Sequence, residues 1–130
     1  MTTDAEPRES APPTIGFKTV VLDTDDPPGM AEFYTRLLGW EVIWTDDDWI
    51  TISGGPGPRI AFQLAFNYKP PTWPDDTVPQ QLHIDFGVDD LPAAAAYAES
   101  IGARRIEGPD KSADFIVFLD PSGHPFCLCR

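Results

Sequence analysis

The feature that most constrains this chain is a repeat with a period of 64 residues. Val20-Val21-Leu22 echoes as Ile84-Asp85-Phe86, Thr24-Asp25-Asp26 as Val88-Asp89-Asp90, and Phe62-Gln63-Leu64 as Phe126-Cys127-Leu128. Leu38-Gly39 returns as Ile101-Gly102, one residue short, which places a single deletion in the second helix. A repeat of this length marks a duplicated supersecondary unit. Two copies imply two pseudo-symmetric modules with a site where they face each other. The same period aligns Thr19 with His83 and Gln63 with Cys127.

The 130 residues suffice for one domain with its own core. A content of 42% hydrophobic and 12% aromatic residues points to a globular fold. The formal charge of -12 opposes nucleic acid and anionic membrane surfaces, and leaves neutral or cationic ligands in play. No 18-residue apolar run is present, so no transmembrane helix is expected. The acidic N-terminus lacks the apolar stretch of a signal peptide. Cys127 and Cys129 share one face of a strand, where the extended backbone between them disfavours a disulfide. Without a disulfide framework, a cytoplasmic location is the expectation.

Residues 1–14 read as a flexible arm and 15–130 as a single domain, divided into module one (15–66), a proline-rich linker (67–80) and module two (81–130). In module one, Phe17 to Asp23 reads as a strand, and Asp26-Pro27 caps a helix that Gly39 ends. Strands follow near 40–45 and 49–53 and from Arg59 to Phe66. Module two repeats the order: a strand from Gln81 to Val88, a helix from Leu91 to Ile101, and strands near 103–107, 114–119 and 125–129. Each unit is therefore βαβββ. Strand alternation sends Val20, Leu22, Phe62, Leu64, Phe66, Leu82, Ile84, Phe86, Phe126 and Leu128 under the helices. Thr19, Val21, Asp23, Ala61, Gln63, Ala65, Gln81, His83, Asp85, Cys127 and Cys129 take the opposite face, whose mixed character suits a ligand-lined concavity.

Three segments resemble the vicinal oxygen chelate superfamily, which includes glyoxalase I, extradiol dioxygenases and bleomycin-resistance proteins. They are Ala31-Glu32-Phe33-Tyr34-Thr35-Arg36-Leu37-Leu38-Gly39-Trp40, His83-Ile84-Asp85-Phe86-Gly87-Val88-Asp89-Asp90 and Asp120-Pro121-Ser122-Gly123-His124-Pro125-Phe126. The resemblance implies an α+β fold of two tandem βαβββ modules, forming a cup-shaped mixed sheet with helices on its outer face, within a homodimer. It also implies metal ligands at positions that fall on Thr19, Gln63, His83 and Cys127. The family holds His or Gln at the first, carboxylates at the second and fourth, and His at the third. Only His83 matches, so no cofactor is assigned and a divalent metal stays as an alternative.

Six residues form the candidate ligand site: Thr19, Trp49, Gln63, His83, Asp85 and Cys127. His83 and Asp85 are the catalytic candidates, as a general base and the carboxylate that orients it. The plainer reading makes His83 a ligand contact without chemistry. Cys127 lacks a basic neighbour to activate it and reads as a small hydrophobe. His124 reads as serving its turn. Trp49 faces the cup, Trp40 the core, and Tyr68 and Trp73 of the linker are placed to close over a cavity. The functional expectation is a glyoxalase-like protein binding a small aromatic or cationic molecule in the cup, without the usual metal site. The alternative is a divergent lyase, isomerase or dioxygenase using His83, with or without a divalent metal.

Overall fold

The computed structural model describes residues 12–72, 75–106 and 114–130. Most of the expected arm (residues 1–11), Trp73, and the end of the strand expected near 103–107 lie outside the described residues. Module one runs β1 (Thr19–Thr24), α1 (Pro27–Leu38), β2 (Glu41–Asp46), β3 (Trp49–Ser53) and β4 (Arg59–Leu64). Module two runs β5 (Ile84–Gly87), α2 (Leu91–Ser100), β6 (Arg104–Arg105), β7 (Phe115–Leu119) and β8 (Pro125–Cys129). Among the described residues no helix is long and apolar enough to cross a membrane.

Both helices start as their sequences dictate. Asp26 accepts from the Gly29 amide at 3.1 Å, and Asp90 from the Ala93 amide at 3.1 Å. Proline within the first two helical positions costs no hydrogen bond in either helix. Gly39 ends α1 in the left-handed region at φ 69°, a conformation that favours glycine.

Hydrogen bonding divides the strands into two four-stranded mixed sheets of one topology, β1-β4-β3-β2 and β5-β8-β7-β6. In each, the first strand runs parallel to the last, and the other pairs are antiparallel. The repeat is thus a structural duplication. Its two halves are not in identical register, however. Leu22 pairs with Phe62, whereas Phe86, its counterpart at the 64-residue offset, pairs with Leu128. By pairing, Cys127 therefore occupies the place of Ala61, and Cys129 that of Gln63.

One hydrophobic cluster spans both modules and takes in Leu22, Met30, Phe33, Tyr34 and Phe62 together with Leu91, Ala95, Phe118, Phe126 and Leu128. Tyr34 of α1 stacks on Phe62 at 5.5 Å, and meets Phe86 and Phe126 of module two at 6.2 Å each. The helix side of both sheets is therefore a shared core, and the burial of this apolar surface drives the modules together.

Two residues expected under the helices are exposed instead. Phe66 is 84% accessible because β4 stops at Leu64, and Leu82 is 48% accessible because β5 begins only at Ile84. Alternation ceases to govern a side chain once its backbone leaves the ladder. His83 likewise lies one residue before β5 and not within a strand that starts at Gln81.

Candidate functional site

On the open face of module two, the ligand atoms of His83, Asp85 and Cys127 all lie within 4.8 Å of one another. The backbone explains the meeting. Asp85 and Cys127 are direct partners on the parallel β5–β8 pair, so their side chains leave the same face. His83 precedes Asp85 by two residues and returns to that face, with Nε2 3.3 Å from Oδ1 of Asp85. The His83 and Asp85 side chains are 45% and 60% exposed, so solvent screens the pair and it adds little to stability.

The three residues share a cavity of about 390 Å3 with Gln80, Phe115, Val117, Pro125 and Cys129. Its walls are largely apolar and its polar groups few, the usual make-up of a small-ligand site. Burial pushes the Cys127 thiol up to about 12, helped by the Asp85 charge, a thiol–carboxylate hydrogen bond and Cys129. A neutral thiol there is a weak donor and a poor nucleophile.

Of the six residues singled out in the sequence, the cavity gathers these three. Thr19, Trp49 and Gln63 stay on module one. Thr19 pairs with Arg59, while Asp23, Gln63 and Trp49 form a cross-strand row on the open face of the first sheet. Trp49 donates its indole N–H to Thr51 Oγ1 at 2.8 Å. The alignment of Gln63 with Cys127 followed the repeated Phe-x-Leu text. The register places Cys127 opposite Asp85, so the carboxylate beside both His83 and Cys127 comes from β5, two residues after His83.

Gln80 went unnoticed in the sequence, since it lies in a linker with no strand or helix to fix its direction. Its Oε1 is buried and has no hydrogen-bond partner.

A second and larger cavity, of about 580 Å3, lies where β1, the linker and the β7–β8 turn meet, and Val21, Asp23, Phe66, Tyr68 and His124 are among its walls. Tyr68 lines this cavity, and its hydroxyl donates to the Ser122 carbonyl at 2.8 Å. His124 serves its turn by donating its backbone N–H to Oδ1 of Asp120, and its ring does more. Nε2 lies 2.6 Å from the Asp23 carbonyl and 3.2 Å from the Tyr68 hydroxyl. A carbonyl only accepts, so Nε2 carries the proton and ties module two to module one.

With this geometry in hand, comparison with known proteins places the fold. A family model described as a glyoxalase-like domain matches residues 19–129. The chain belongs to this glyoxalase-like family. It sits within the vicinal oxygen chelate superfamily.

Solved structures agree on the fold. One is a glyoxalase/bleomycin resistance protein/dioxygenase family enzyme from Burkholderia phytofirmans PsJN, at 20% identity and TM-score 0.68, covering 85% of this chain and 94% of that one. A protein described as a possible glyoxalase from Bacillus cereus matches at 15% identity and TM-score 0.68, over 90% of this chain and 100% of that one. A glyoxalase-related enzyme from Fulvimarina pelagi matches at 16% identity and TM-score 0.67, over 88% and 86%. Likeness at these identities carries the fold and not the chemistry. Among curated proteins, no sequence matches the chain.

Proposed function

We propose that this glyoxalase-like protein binds a small aromatic or cationic molecule on the open face of module two, without the four-ligand metal site usual in its superfamily. The observation that carries the reading is the convergence of His83, Asp85 and Cys127 in a cavity of about 390 Å3 with apolar walls. The positions that would complete the superfamily's metal set, Thr19 and Gln63, lie on the other module and carry no carboxylate. The chain's charge of -12 favours cationic partners over anionic ones. The homodimer implied by the family resemblance belongs to the same proposal; light scattering at micromolar concentration tests it, and a monomer removes it.

The test of binding is a two-dimensional NMR screen of planar and cationic compounds against the wild-type chain and His83→Ala. Shifts should cluster on Asp85, Val117 and Cys127 and weaken in the variant, whose fold should stay intact because the side chain is half exposed. Unaltered binding of a verified ligand by His83→Ala would remove His83 from the site.

A second reading is favoured by the chemistry of the cluster itself. Nitrogen, oxygen and sulfur donors within 4.8 Å, with a 3.3 Å separation between His83 and Asp85, fit three ligands on one divalent ion with an open position. Such an ion would supply Lewis acidity toward a bound oxygen, the chemistry that a lyase, isomerase or dioxygenase reading calls for, with Cys127 as a thiolate ligand. His83, Asp85 and Cys127 would hold it, and the apolar walls would orient the substrate. Elemental analysis of untagged protein purified without chelator, beside His83→Ala, decides between the readings. Near-stoichiometric metal that vanishes in the variant supports the second.

A further inference from the structure

We infer that the ligand of the module-two cavity is a flat, apolar-bodied molecule ending in a protonated amine that retains N–H bonds, and that Gln80 selects for it. This narrows the binding reading above and rests on it.

Among the described residues, Oε1 of Gln80 is the one buried side-chain nitrogen or oxygen without a hydrogen-bond partner. It belongs to a residue that lines the same cavity as His83, Asp85 and Cys127. A buried acceptor left unpaired keeps its full desolvation penalty, and native structures hold few of them. A donor arriving with a ligand would remove the penalty once the amide oxygen, itself out of reach of solvent, turns into the cavity that Gln80 lines. Pro79, on one side of Gln80, has no amide hydrogen to offer it.

The neighbouring groups define what that donor is attached to. An ionised Asp85 only accepts, and Cys127 offers a weak thiol donor. Among the described residues no lysine or arginine lines the cavity, and its one imidazole, His83, already faces Asp85 at 3.3 Å, so an anionic headgroup would meet the Asp85 carboxylate without a cation of its own. An ammonium with two or three N–H bonds can serve the amide oxygen and the carboxylate together. A quaternary ammonium carries the same charge but leaves Gln80 unpaired. Phe115, Val117 and Pro125 then take the flat body of the molecule.

The experiment titrates benzylammonium, benzyltrimethylammonium, benzyl alcohol and phenylacetate into the wild-type chain with chelator present, followed by two-dimensional NMR. The same series is run on Gln80→Leu and Gln80→Glu. Benzylammonium should bind at the cavity, and benzyltrimethylammonium at least about tenfold more weakly, the scale set by an unpaired buried acceptor. Gln80→Leu should erase that difference and Gln80→Glu should keep it. Equal binding of the primary and quaternary amines, or preserved discrimination in Gln80→Leu, overturns the assignment and leaves the binding reading standing. Binding of benzyl alcohol or phenylacetate alone does the same. If no probe of any charge perturbs this face, the binding reading falls with it. Zinc, added without chelator, is the remaining control: a response lost in Gln80→Leu while no amine binds would assign the oxygen to a metal and overturn the amine. Should Gln80→Leu fail to fold, the two amines compared on the wild-type chain decide alone.

Discussion

The Tyr34 hydroxyl donates to Oδ2 of Asp120 across 2.7 Å, and both residues are buried. Tyr34 comes from α1 of the first module, and Asp120 from the turn that precedes β8 of the second. The other carboxylate oxygen, Oδ1, accepts from the Ser122 and His124 amides at 2.9 and 3.0 Å. Burial still holds the Asp120 carboxyl above its ordinary value, outweighing the hydrogen bonds and the His124 charge that favour its ionised form. A few polar groups thus fix the angle at which two apolar halves meet. Thr24 and Ser122 add a 2.7 Å hydroxyl pair beside them, and Asp23 and His124 a backbone-to-ring bond.

Tyr34→Phe should therefore destabilise the chain by about 1–3 kcal/mol, because it leaves an Asp120 oxygen buried without its donor while keeping the ring contacts. Denaturant unfolding measures this from the midpoint at constant slope. A change below roughly 0.5 kcal/mol, the usual range for a surface substitution, would show that the bond contributes nothing at the junction.

Much of the fold was legible because local chemistry and the repeat agreed. Asp26 and Asp90 cap the helices their sequences announce, and the four-strand order recurs in each half. The site was legible only in part, and the reason is the pleat. A strand shifted by one residue turns its side chains to the other face, but a shift by two restores every one of them. The two-residue difference between the Leu22–Phe62 and Phe86–Leu128 pairings therefore leaves no trace in the hydrophobic pattern. It changes which residues become neighbours: Asp85, and not Gly87, stands opposite Cys127. Gln80 was illegible for another reason. A linker has no periodicity, so nothing in the sequence says where its side chains point.

The tyrosines give a pH dependence. Burial, followed by the charge and hydrogen bond of Asp120, raises Tyr34 well above its ordinary value of 10.0. Burial and the charges of Asp120, Asp23 and Asp25 raise Tyr68 as well. In the unfolded chain both would ionise near the ordinary value, so the folded state binds more protons above it. Their contribution to stability should be intact below about pH 10 and be lost progressively as pH rises beyond it. Alkaline titration followed by tyrosinate absorbance should show two of the tyrosines ionising only with unfolding. Ionisation of Tyr34 and Tyr68 in a chain that keeps its native circular dichroism would contradict this.

Gly123 carries a steric prediction. Its φ of 90° already strains any side chain, and an added Cβ would lie 2.8 Å from Cβ of Pro70 in the linker. Gly123→Ala should destabilise the chain by about 1–3 kcal/mol and loosen the linker over the larger cavity. Gly55, also at positive φ but open around its Cβ, is the control, since Gly55→Ala bears the backbone strain without the clash. Thermal unfolding of the two variants separates the terms, and equal losses would mean that Pro70 yields freely.

Cys127 offers the last test, because its chemistry depends on what the cavity holds. With the thiol pushed up to about 12, chiefly by burial, the thiolate fraction at neutral pH is on the order of one in a hundred thousand. Alkylation by iodoacetamide at pH 7 should therefore be slow at Cys127 in the native chain and fast after unfolding, with peptide mass spectrometry separating it from Cys129. Both cysteines are free, so no reductant confuses the measurement. A divalent ion on His83, Asp85 and Cys127 would bind the sulfur as thiolate yet shield it from the reagent. Adding zinc should then protect Cys127 further and release a proton that a weakly buffered solution can record. Proton release that disappears in Cys127→Ala would favour the metal reading, whereas zinc without effect on either readout would favour the organic ligand. Rapid native alkylation of Cys127 would contradict the raised thiol, since it requires a sulfur that neither burial nor Asp85 keeps protonated.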